Sequence, residues 1–184
     1  MRVIAGTARR VQLISPKGLN TRPTSDRAKE GLFNILGERV RGALMLDVFC
    51  GSGAIGIEAL SRGAEKVVFA DSAAEAIQAL KLNLAKTKLA EKSEIIHANT
   101  LHVIYTLAQK GLCFDIIFLD PPYQTELLIQ TLTKLAEKNI LTESGMIIAE
   151  TDAKFDIFVP EVFMLESTRV YGSTKFLFLH YTGA

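Results

Sequence analysis

Short apolar runs alternate with longer helical patterns along most of the chain, and this alternation limits its fold more than any other feature. The runs ALMLDVF, KVVFAD, EIIHA, FDIIFLD and GMIIAE are separated from one another by segments with helical periodicity. Strands that are joined through helices form parallel sheets, and the helices then cover both faces of the sheet. The sequence therefore predicts a doubly wound α/β domain.

The two ends of the chain depart from this alternation. Near the N-terminus, the short runs RVIA and VQLI predict a β-hairpin, and a helix is expected from Thr24 onward, with Thr24 or Ser25 as its N-cap. Near the C-terminus, VFMLESTRV and KFLFLHY are joined through YGST without a helix, which predicts an antiparallel hairpin at the sheet edge. We therefore expect an N-terminal extension over residues 1–42 and a main domain over residues 43–184.

Charge is distributed unevenly between these two regions. The chain carries a net charge of only +1, whereas residues 1–42 hold nine cations and three acids. A basic extension on a nearly neutral body is typical of a protein that contacts a polyanion such as a nucleic acid. No apolar run is long enough to span a bilayer, so we expect a cytoplasmic protein without a membrane partner.

The cysteines and histidines form no recognisable metal or disulfide pattern. Cys50 and Cys113 lie far apart in the sequence, and we expect both to be small residues of the core. His97, His102 and His180 lack the spacing of metal ligands. The sequence therefore predicts no metal site.

The first strand-to-helix turn of the main domain carries a glycine pattern. In LDVFCGSGAIG, Gly51, Gly53 and Gly56 match G-x-G-x-x-G between a predicted strand and a predicted helix. Such a turn lets a ligand approach the backbone close to a helix N-terminus. Asp71 ends the next predicted strand and can accept hydrogen bonds from both hydroxyls of a ribose. Together these residues indicate a cofactor that contains a nucleoside.

Asp47, on the strand before the glycine turn, favours one class of nucleoside cofactor. A dinucleotide would place its pyrophosphate on this turn, where the Asp47 carboxylate would repel it. S-adenosylmethionine carries an amino acid and a sulfonium instead, and it tolerates a negative charge nearby. The sequence therefore favours S-adenosylmethionine over NAD.

The run IIFLDPPYQ ends a predicted strand with an acid, two prolines and a tyrosine. Pro121 and Pro122 lack an N–H group, so this turn is stiff and offers carbonyl acceptors. The Asp120 carboxylate and a proline carbonyl could hold both N–H groups of an exocyclic amine and aim its lone pair at a methyl group. Tyr123 provides a ring on which a splayed-out base could stack.

These motifs, together with the N-terminal block, resemble a known enzyme family. LDVFCGSGAIGIEALSRGA and DPPY are similar to motifs I and IV of class I S-adenosylmethionine-dependent amino-methyltransferases. MRVIAG, TRPTSDRAKEGLFNIL and YGSTKF narrow the resemblance to the RsmD family, which methylates N2 of a guanine in bacterial 16S rRNA.

The resemblance implies a fold, a cofactor and a partner. The fold would be Rossmann-like, with a mostly parallel, doubly wound, seven-stranded sheet and an antiparallel C-terminal strand. The cofactor would be S-adenosylmethionine, which leaves as S-adenosylhomocysteine. The partner would be 16S rRNA or the assembling 30S subunit, with the basic extension docking the RNA. We infer no obligate protein partner and expect a monomer.

The resemblance also assigns roles to individual residues. Asp120 and Pro121 would hold the target amine, and Tyr123 would lie against the base. The cofactor would be bound by Asp47, Gly51 and Gly53 at its methionyl part, by Asp71 at its ribose and by Asn99 at its adenine. The block RPTSDR would place Arg22, Thr24 and Arg27 near the cofactor carboxylate or an RNA phosphate. We assign Thr24 to the cofactor, and the predicted RNA-binding residues are Arg2, Arg9, Arg10, Arg22 and Arg27.

The chain departs from the family pattern at four positions. The family commonly has arginine at Lys29 and alanine at Gly31 and Cys50, and we expect these changes to be tolerated. It usually has aspartate at Ser173, in YGST. A charge-based role at this corner therefore does not carry over to this chain.

Three other functions share part of the pattern. A DNA or RNA adenine-N6 methyltransferase would share DPPY, although this chain has little room for a separate DNA-recognition domain. A nicotinamide oxidoreductase would share the glycine turn but would leave Asp47 and Asp120 unexplained. A non-catalytic ribosome-assembly factor could use the same fold to bind RNA.

Overall fold

The computed structural model describes residues 1–16, 24–122 and 125–182 of the chain. Within these ranges, no helix is long and apolar enough to cross a membrane. The helices are α1 (Asp26–Leu36), α2 (Ala54–Ser61), α3 (Ala74–Thr87), α4 (Thr100–Gln109) and α5 (Thr125–Lys138). The strands are β1 (Leu44–Val48), β2 (Lys66–Asp71), β3 (Ser93–His97), β4 (Phe114–Leu119), β5 (Leu141–Asp152), β6 (Phe163–Tyr171) and β7 (Thr174–Tyr181).

The seven strands form one sheet in the order β3-β2-β1-β4-β5-β7-β6. Strands β1 to β5 pair in parallel, whereas β7 pairs antiparallel with both β5 and β6. The predicted doubly wound sheet with an antiparallel C-terminal strand is therefore confirmed. Because the strand order reverses between β1 and β4, a crevice opens there beyond the carboxyl ends of the strands.

Side chains that alternate along each strand divide the interior into two cores. Met45 belongs to the core beneath α1, α2 and α3, while its neighbour Leu46 belongs to the core beneath α4 and α5. Phe176 and Phe178 are fully buried in the first core, as the alternation in KFLFLHY predicts. Both faces of the sheet are thus covered, so the carboxyl ends of the strands are left for a ligand.

The N-terminal arm, defined as residues 1–16, shares the first core with the main domain. Its apolar side chains Val3, Ala8 and Leu13 are buried there beside α1. The predicted hairpin is reduced to a single bridge between Arg2 and Gln12. Side chains of α2 and α3 explain this difference, because they take up several of the arm's backbone hydrogen-bonding groups.

Glu58 of α2 holds the first part of the arm. Its carboxylate accepts hydrogen bonds from the backbone N–H groups of Ile4 at 2.7 Å and Ala5 at 2.9 Å. It also forms ion pairs with Lys29 of α1 at 3.2 Å and with Arg62 at 2.8 Å. The side chains of Glu58 and Lys29 are completely buried. Burial lowers the pKa of Lys29, and the Glu58 charge opposes this change.

Asn83 of α3 holds the last part of the arm. Its amide accepts a hydrogen bond from the Ile14 N–H at 2.8 Å and donates to the Ile14 carbonyl oxygen at 2.9 Å. The same amide donates to the carbonyl oxygen of Ser52 in the glycine turn, also at 2.9 Å. The arm is therefore tied directly to the loop in which a cofactor is expected.

Two local predictions can be compared with the structure. Helix α1 begins at Asp26, two residues after Thr24, because Ser25, one of the two predicted caps, accepts a hydrogen bond from the Ala28 N–H at 3.1 Å. The prediction that both cysteines lie in the core is wrong for one of them. Cys50 is buried, but Cys113 is exposed, because it lies in the turn that precedes β4 rather than on a covered strand.

Candidate active site

Acidic side chains lie at the carboxyl ends of four strands. Asp47 is on β1, Asp71 ends β2, Asp120 follows β4 and Glu150 is on β5. A cavity of about 120 Å³ opens between β1 and β4. Its lining residues come from the arm, the glycine turn and the strand ends: Met1, Ser15, Pro16, Thr24, Asp47, Phe49, Cys50, Gly51, Ser52, Ala54, Ile55, Phe118 and Asp120. This cavity is where the predicted cofactor and amine sites meet.

The three glycines of the turn are required for different structural purposes. A Cβ on Gly53 would lie 2.3 Å from Leu80, and one on Gly56 would lie 2.3 Å from the Phe69 ring. These two glycines therefore allow α2 and α3 to pack closely on the sheet. Gly51 has a φ of +53°, and a Cβ there would meet no atom within 4 Å. Gly51 is thus the glycine that lines the cavity and leaves room for a ligand.

Phe49 is a second residue of this turn with a left-handed backbone. It has a φ of +62°, which is unusual for a residue with a bulky side chain, and it lines the cavity. Strained backbone of this kind concentrates at functional sites. The sequence analysis did not single out Phe49, because nothing in the residue type predicts a positive φ.

Asp71 braces the glycine turn against the start of α3. One carboxylate oxygen accepts a hydrogen bond from the Gly51 N–H at 2.9 Å, and the other accepts from the Ala73 N–H at 2.9 Å. A carboxylate has about four acceptor positions, so each oxygen keeps one for a further donor. Its predicted contact with ribose hydroxyls is compatible with this geometry and stays a prediction.

Asp47 is a buried carboxylate in the wall of the cavity. Only 2% of the residue is exposed, and the carboxylate accepts a hydrogen bond from the Gly56 N–H at 2.9 Å. Burial raises the pKa of Asp47 to about 7, and the charge of Asp71 adds to this effect, while the Gly56 hydrogen bond opposes it. A cation placed in the cavity would favour the charged form of Asp47.

Asp120 lines the same cavity from the end of β4. Burial raises its pKa well above the ordinary range, and the neighbouring charges of Glu150 and Asp47 raise it further. Pro121 follows at the mouth of the site and is partly exposed. Two predicted residues of the site, Tyr123 and Arg22, lie outside the described residues.

Glu150 is a residue of this region that the sequence analysis missed. Its carboxylate accepts hydrogen bonds from the hydroxyls of Thr24 at 2.7 Å and Thr174 at 3.4 Å. Burial raises its pKa to about 7, and the two hydroxyls oppose this change. A signal was present, because GMIIAE ends its apolar run with an acid, as do the runs that end at Asp71 and Asp120.

Thr24 and Asn99, both assigned to the cofactor, have different positions. Thr24 is buried, lines the cavity and donates to Glu150. Asn99 is exposed and caps α4, because its side-chain oxygen accepts from the Leu101 N–H at 3.0 Å. Asn99 is not among the described residues that line the cavity, so its contact with the adenine stays a prediction.

The predicted RNA-binding arginines lie on the outside of the arm and of α1. Arg9 and Arg10 are exposed in the turn of the arm, and Arg27 is exposed on α1. Arg2 forms an exposed ion pair with Asp26 at 3.0 Å. None of these four arginines is among the described residues that line the cavity. Their contact with RNA stays a prediction.

In the part of the chain that the structure describes, no three His, Cys, Asp or Glu side chains form a group that could hold a metal. The cavity is lined by the glycine turn and by the carboxyl groups of Asp47 and Asp120.

Comparisons with known proteins agree with the fold and with the motifs. The family described as conserved hypothetical protein 95 matches residues 1–180. The Bacillus subtilis protein YlbH is 40% identical over 157 residues, which cover 85% of this chain and 85% of that protein. A Haemophilus influenzae protein named ribosomal RNA small subunit methyltransferase D is 36% identical over 96% of this chain and 91% of its own length. The solved structure of the Escherichia coli protein yhhF is 34% identical and superposes with a TM-score of 0.83, covering 98% of this chain and 97% of that chain.

Proposed function

Because this chain belongs to the RsmD family, the family described as conserved hypothetical protein 95, we propose that it is an rRNA methyltransferase that uses S-adenosylmethionine. Its proposed target is the exocyclic N2 of a guanine in bacterial 16S rRNA. The observation that supports this most strongly is the position of the half-buried Asp120 carboxylate on the wall of the cavity, beside the glycine turn.

The residues present fit S-adenosylmethionine. Asp71 would accept the ribose hydroxyls, and Gly51 leaves open space for the cofactor to approach the backbone. Asp47 would lie near the methionyl part, where a cationic ligand favours its charged form. A cavity of about 120 Å³ is smaller than the roughly 300 to 1,000 Å³ of most ligand sites. The rest of the cofactor would therefore lie along the ends of β2 and β3.

The cofactor supplies a methyl carbon bonded to a positively charged sulfur. Asp120 would accept one N–H of the guanine amine, and the Pro121 carbonyl would accept the other. This pair would aim the nitrogen lone pair along the carbon–sulfur bond. S-adenosylmethionine would supply the methyl group and would keep the electron pair of its carbon–sulfur bond. The methylated nitrogen would carry a positive charge, which the Asp120 carboxylate would stabilise until it accepts one proton from that nitrogen.

Methyl transfer to defined substrates tests this proposal. The full chain would be incubated with methyl-tritiated S-adenosylmethionine and, in separate reactions, 16S rRNA, assembling subunits, mature 30S subunits and duplex DNA. We expect label in one of the ribosomal substrates, recovered as N2-methylguanosine. N6-methyladenosine as the labelled product, label only in DNA, or no transfer at all would each contradict the proposed function.

Calorimetry with S-adenosylhomocysteine tests the cofactor site separately. Asp71→Asn removes the charge while keeping an acceptor oxygen, and we expect binding to weaken by about 1.5 to 3 kcal/mol, as for charge-assisted hydrogen bonds. Glu75→Gln is a matched control, because Glu75 is an exposed carboxylate in the first turn of α3. Equal affinities for the two variants would remove Asp71 from the cofactor site.

A further inference from the structure

Glu150, on β5, and Asp120, the residue that follows β4, are neighbours at the carboxyl ends of these strands. The parallel register pairs Leu119 of β4 with Ala149 of β5, so the residues that follow them are neighbours. Phe118 and Ile148 both face the first core. Because side chains alternate, Asp120 and Glu150, each two residues further on, point to that same face.

The position of Glu150 is held by two hydroxyls from different parts of the chain. Thr24 precedes α1, and Thr174 begins β7, so the carboxylate joins three elements around the site. The residue is only 8% exposed and is not among the described residues that line the cavity. Glu150 is therefore placed to act on a ligand through Asp120 and Thr24 rather than by direct contact.

We propose that Glu150 is a positioning residue for methyl transfer, whose buried negative charge makes the neighbouring Asp120 a stronger acceptor for the hydrogen and then the proton of the target amine. This inference rests on the proposed function. In the step concerned, the amine nitrogen has gained the methyl carbon and carries a positive charge. The bond from nitrogen to one hydrogen breaks, its electron pair returns to nitrogen, and the proton passes to an oxygen of Asp120.

None of the other described groups around Asp120 and Glu150 neutralises the negative charge of this pair. Asp47, on β1, is a third acid that raises the pKa of Asp120. On β7, the residue paired with Glu150 is the apolar Phe176. The next residue, Lys175, makes its contacts with the Phe155 carbonyl oxygen and with Asp156. From the glycine turn, the buried thiol of Cys50 has a pKa well above its ordinary value, so it adds no charge near neutral pH.

The dependence of rate on pH tests the inference. Glu150→Gln keeps the volume and an acceptor oxygen but removes the charge. Loss of this like charge lowers the pKa of Asp120, so we expect the acid limb of the single-turnover profile to move to lower pH. Asp120 would also become a weaker acceptor, so we expect the plateau rate to fall about tenfold, with cofactor affinity unchanged.

Two further variants separate charge from packing. Glu143→Gln removes an exposed carboxylate from the same strand, and we expect it to leave the profile unchanged. Glu150→Asp keeps the charge, and we expect its acid limb to stay near that of the wild type. The inference would be overturned if the acid limb of the rate profile stays at the wild-type pH in Glu150→Gln. It would also be overturned if the limb moves as far in Glu150→Asp as in Glu150→Gln. If Glu150→Gln does not fold, Thr174→Val weakens the charged form of Glu150 and should move the limb in the same direction by less.

A second measurement does not depend on activity. The carboxyl carbon of Asp120 can be followed by NMR during a pH titration of the wild type and of Glu150→Gln. We expect a lower pKa for Asp120 in the variant, and an unchanged pKa would overturn the inference. If the wild-type protein methylates no RNA, only the proposed function is contradicted. The titration still decides whether Glu150 changes the pKa of Asp120.

Discussion

The arm and the ends of the strands surround their carboxylates in opposite ways. The arm anchor, formed by Glu58 with Lys29 and Arg62, gives one carboxylate two cations and two backbone N–H donors. Of the strand-end carboxylates, Asp47, Asp120 and Glu150, the first accepts from a backbone N–H and the last from two hydroxyls, and none of the three forms an ion pair among the described residues. In the arm anchor, the neutralised carboxylate charge stabilises the fold. At the strand ends, a carboxylate without a nearby cation can interact with a cationic ligand or with a reacting amine.

The largest effect is expected from breaking the arm anchor. Glu58→Ala would leave the Lys29 ammonium buried without its carboxylate, and we expect the free energy of unfolding to fall by about 3 to 5 kcal/mol. Glu94→Ala is the matched control, because Glu94 pairs with Lys66 at 2.6 Å where both side chains are substantially exposed. This control should cost at most about 1 kcal/mol. Equal losses in urea unfolding of the two variants would refute the distinction between the two kinds of ion pair.

The second largest effect is expected on the rate of methyl transfer, from a substitution at Asp120. Asp120→Asn keeps an acceptor oxygen but removes the charge that we propose to stabilise the methylated amine. We expect the single-turnover rate to fall by about 100-fold or more, with cofactor affinity nearly unchanged. We also expect no loss of stability, because this substitution removes a charge that forms no ion pair among the described residues. A wild-type rate would mean that Asp120 has no catalytic role, and a loss of cofactor affinity alone would make it a binding residue.

A smaller effect is expected from Asp47, and its sign is opposite to that of the arm anchor. Its pKa of about 7 in the folded protein exceeds the ordinary 3.8, so between these values the folded state binds more protons than the unfolded state. The free energy of unfolding should therefore fall as the pH rises from about 4 to 7. Asp47→Asn should reduce this fall and stabilise the protein at pH 8 by about 1 to 2 kcal/mol. Unfolding curves of the variant that keep the wild-type pH dependence would contradict this account of Asp47.

The smallest effect is expected outside both groups, on the exposed surface of the arm. Replacing Arg9 and Arg10 by glutamine should weaken RNA binding and reduce the slope of log affinity against log salt by up to about 2. Lys110 and Lys138 provide a control pair on the opposite side of the sheet. An unchanged slope in the arginine variant, or an equal change in the lysine variant, would place the RNA elsewhere.

The sequence was most informative where a single local pattern determines the structure. Apolar runs bounded by helices predicted β1 to β5, because burial on both faces leaves an unmistakable apolar strand. Asp47, Asp71 and Asp120 stood out because each lies on or directly after such a run. Ser25 was recognised as a possible helix cap from its residue type and its position before an apolar helical pattern.

The remaining features depend on partners that are distant in the sequence. Glu150 was overlooked because its role comes from Thr24, which lies 126 positions away, and from its neighbour Asp120 on the adjacent strand. Glu58 looks like a solvent-exposed helix residue, yet it is buried because the arm folds over α2. The same long-range packing explains why Gly53 and Gly56 serve helix packing, since the residues they avoid, Leu80 and Phe69, lie on other elements.

The attachment of the arm has a consequence for the order of events during synthesis. The side-chain hydrogen bonds that hold the arm to α2 and α3 join residues separated by 53 to 74 positions. The arm is synthesised before α2 and α3, so it must wait for α3 before it can dock. Met1, Ser15 and Pro16 form part of the cavity wall, so the cavity is completed only when the arm has docked. A ligand of this cavity should therefore report on the docking of the arm.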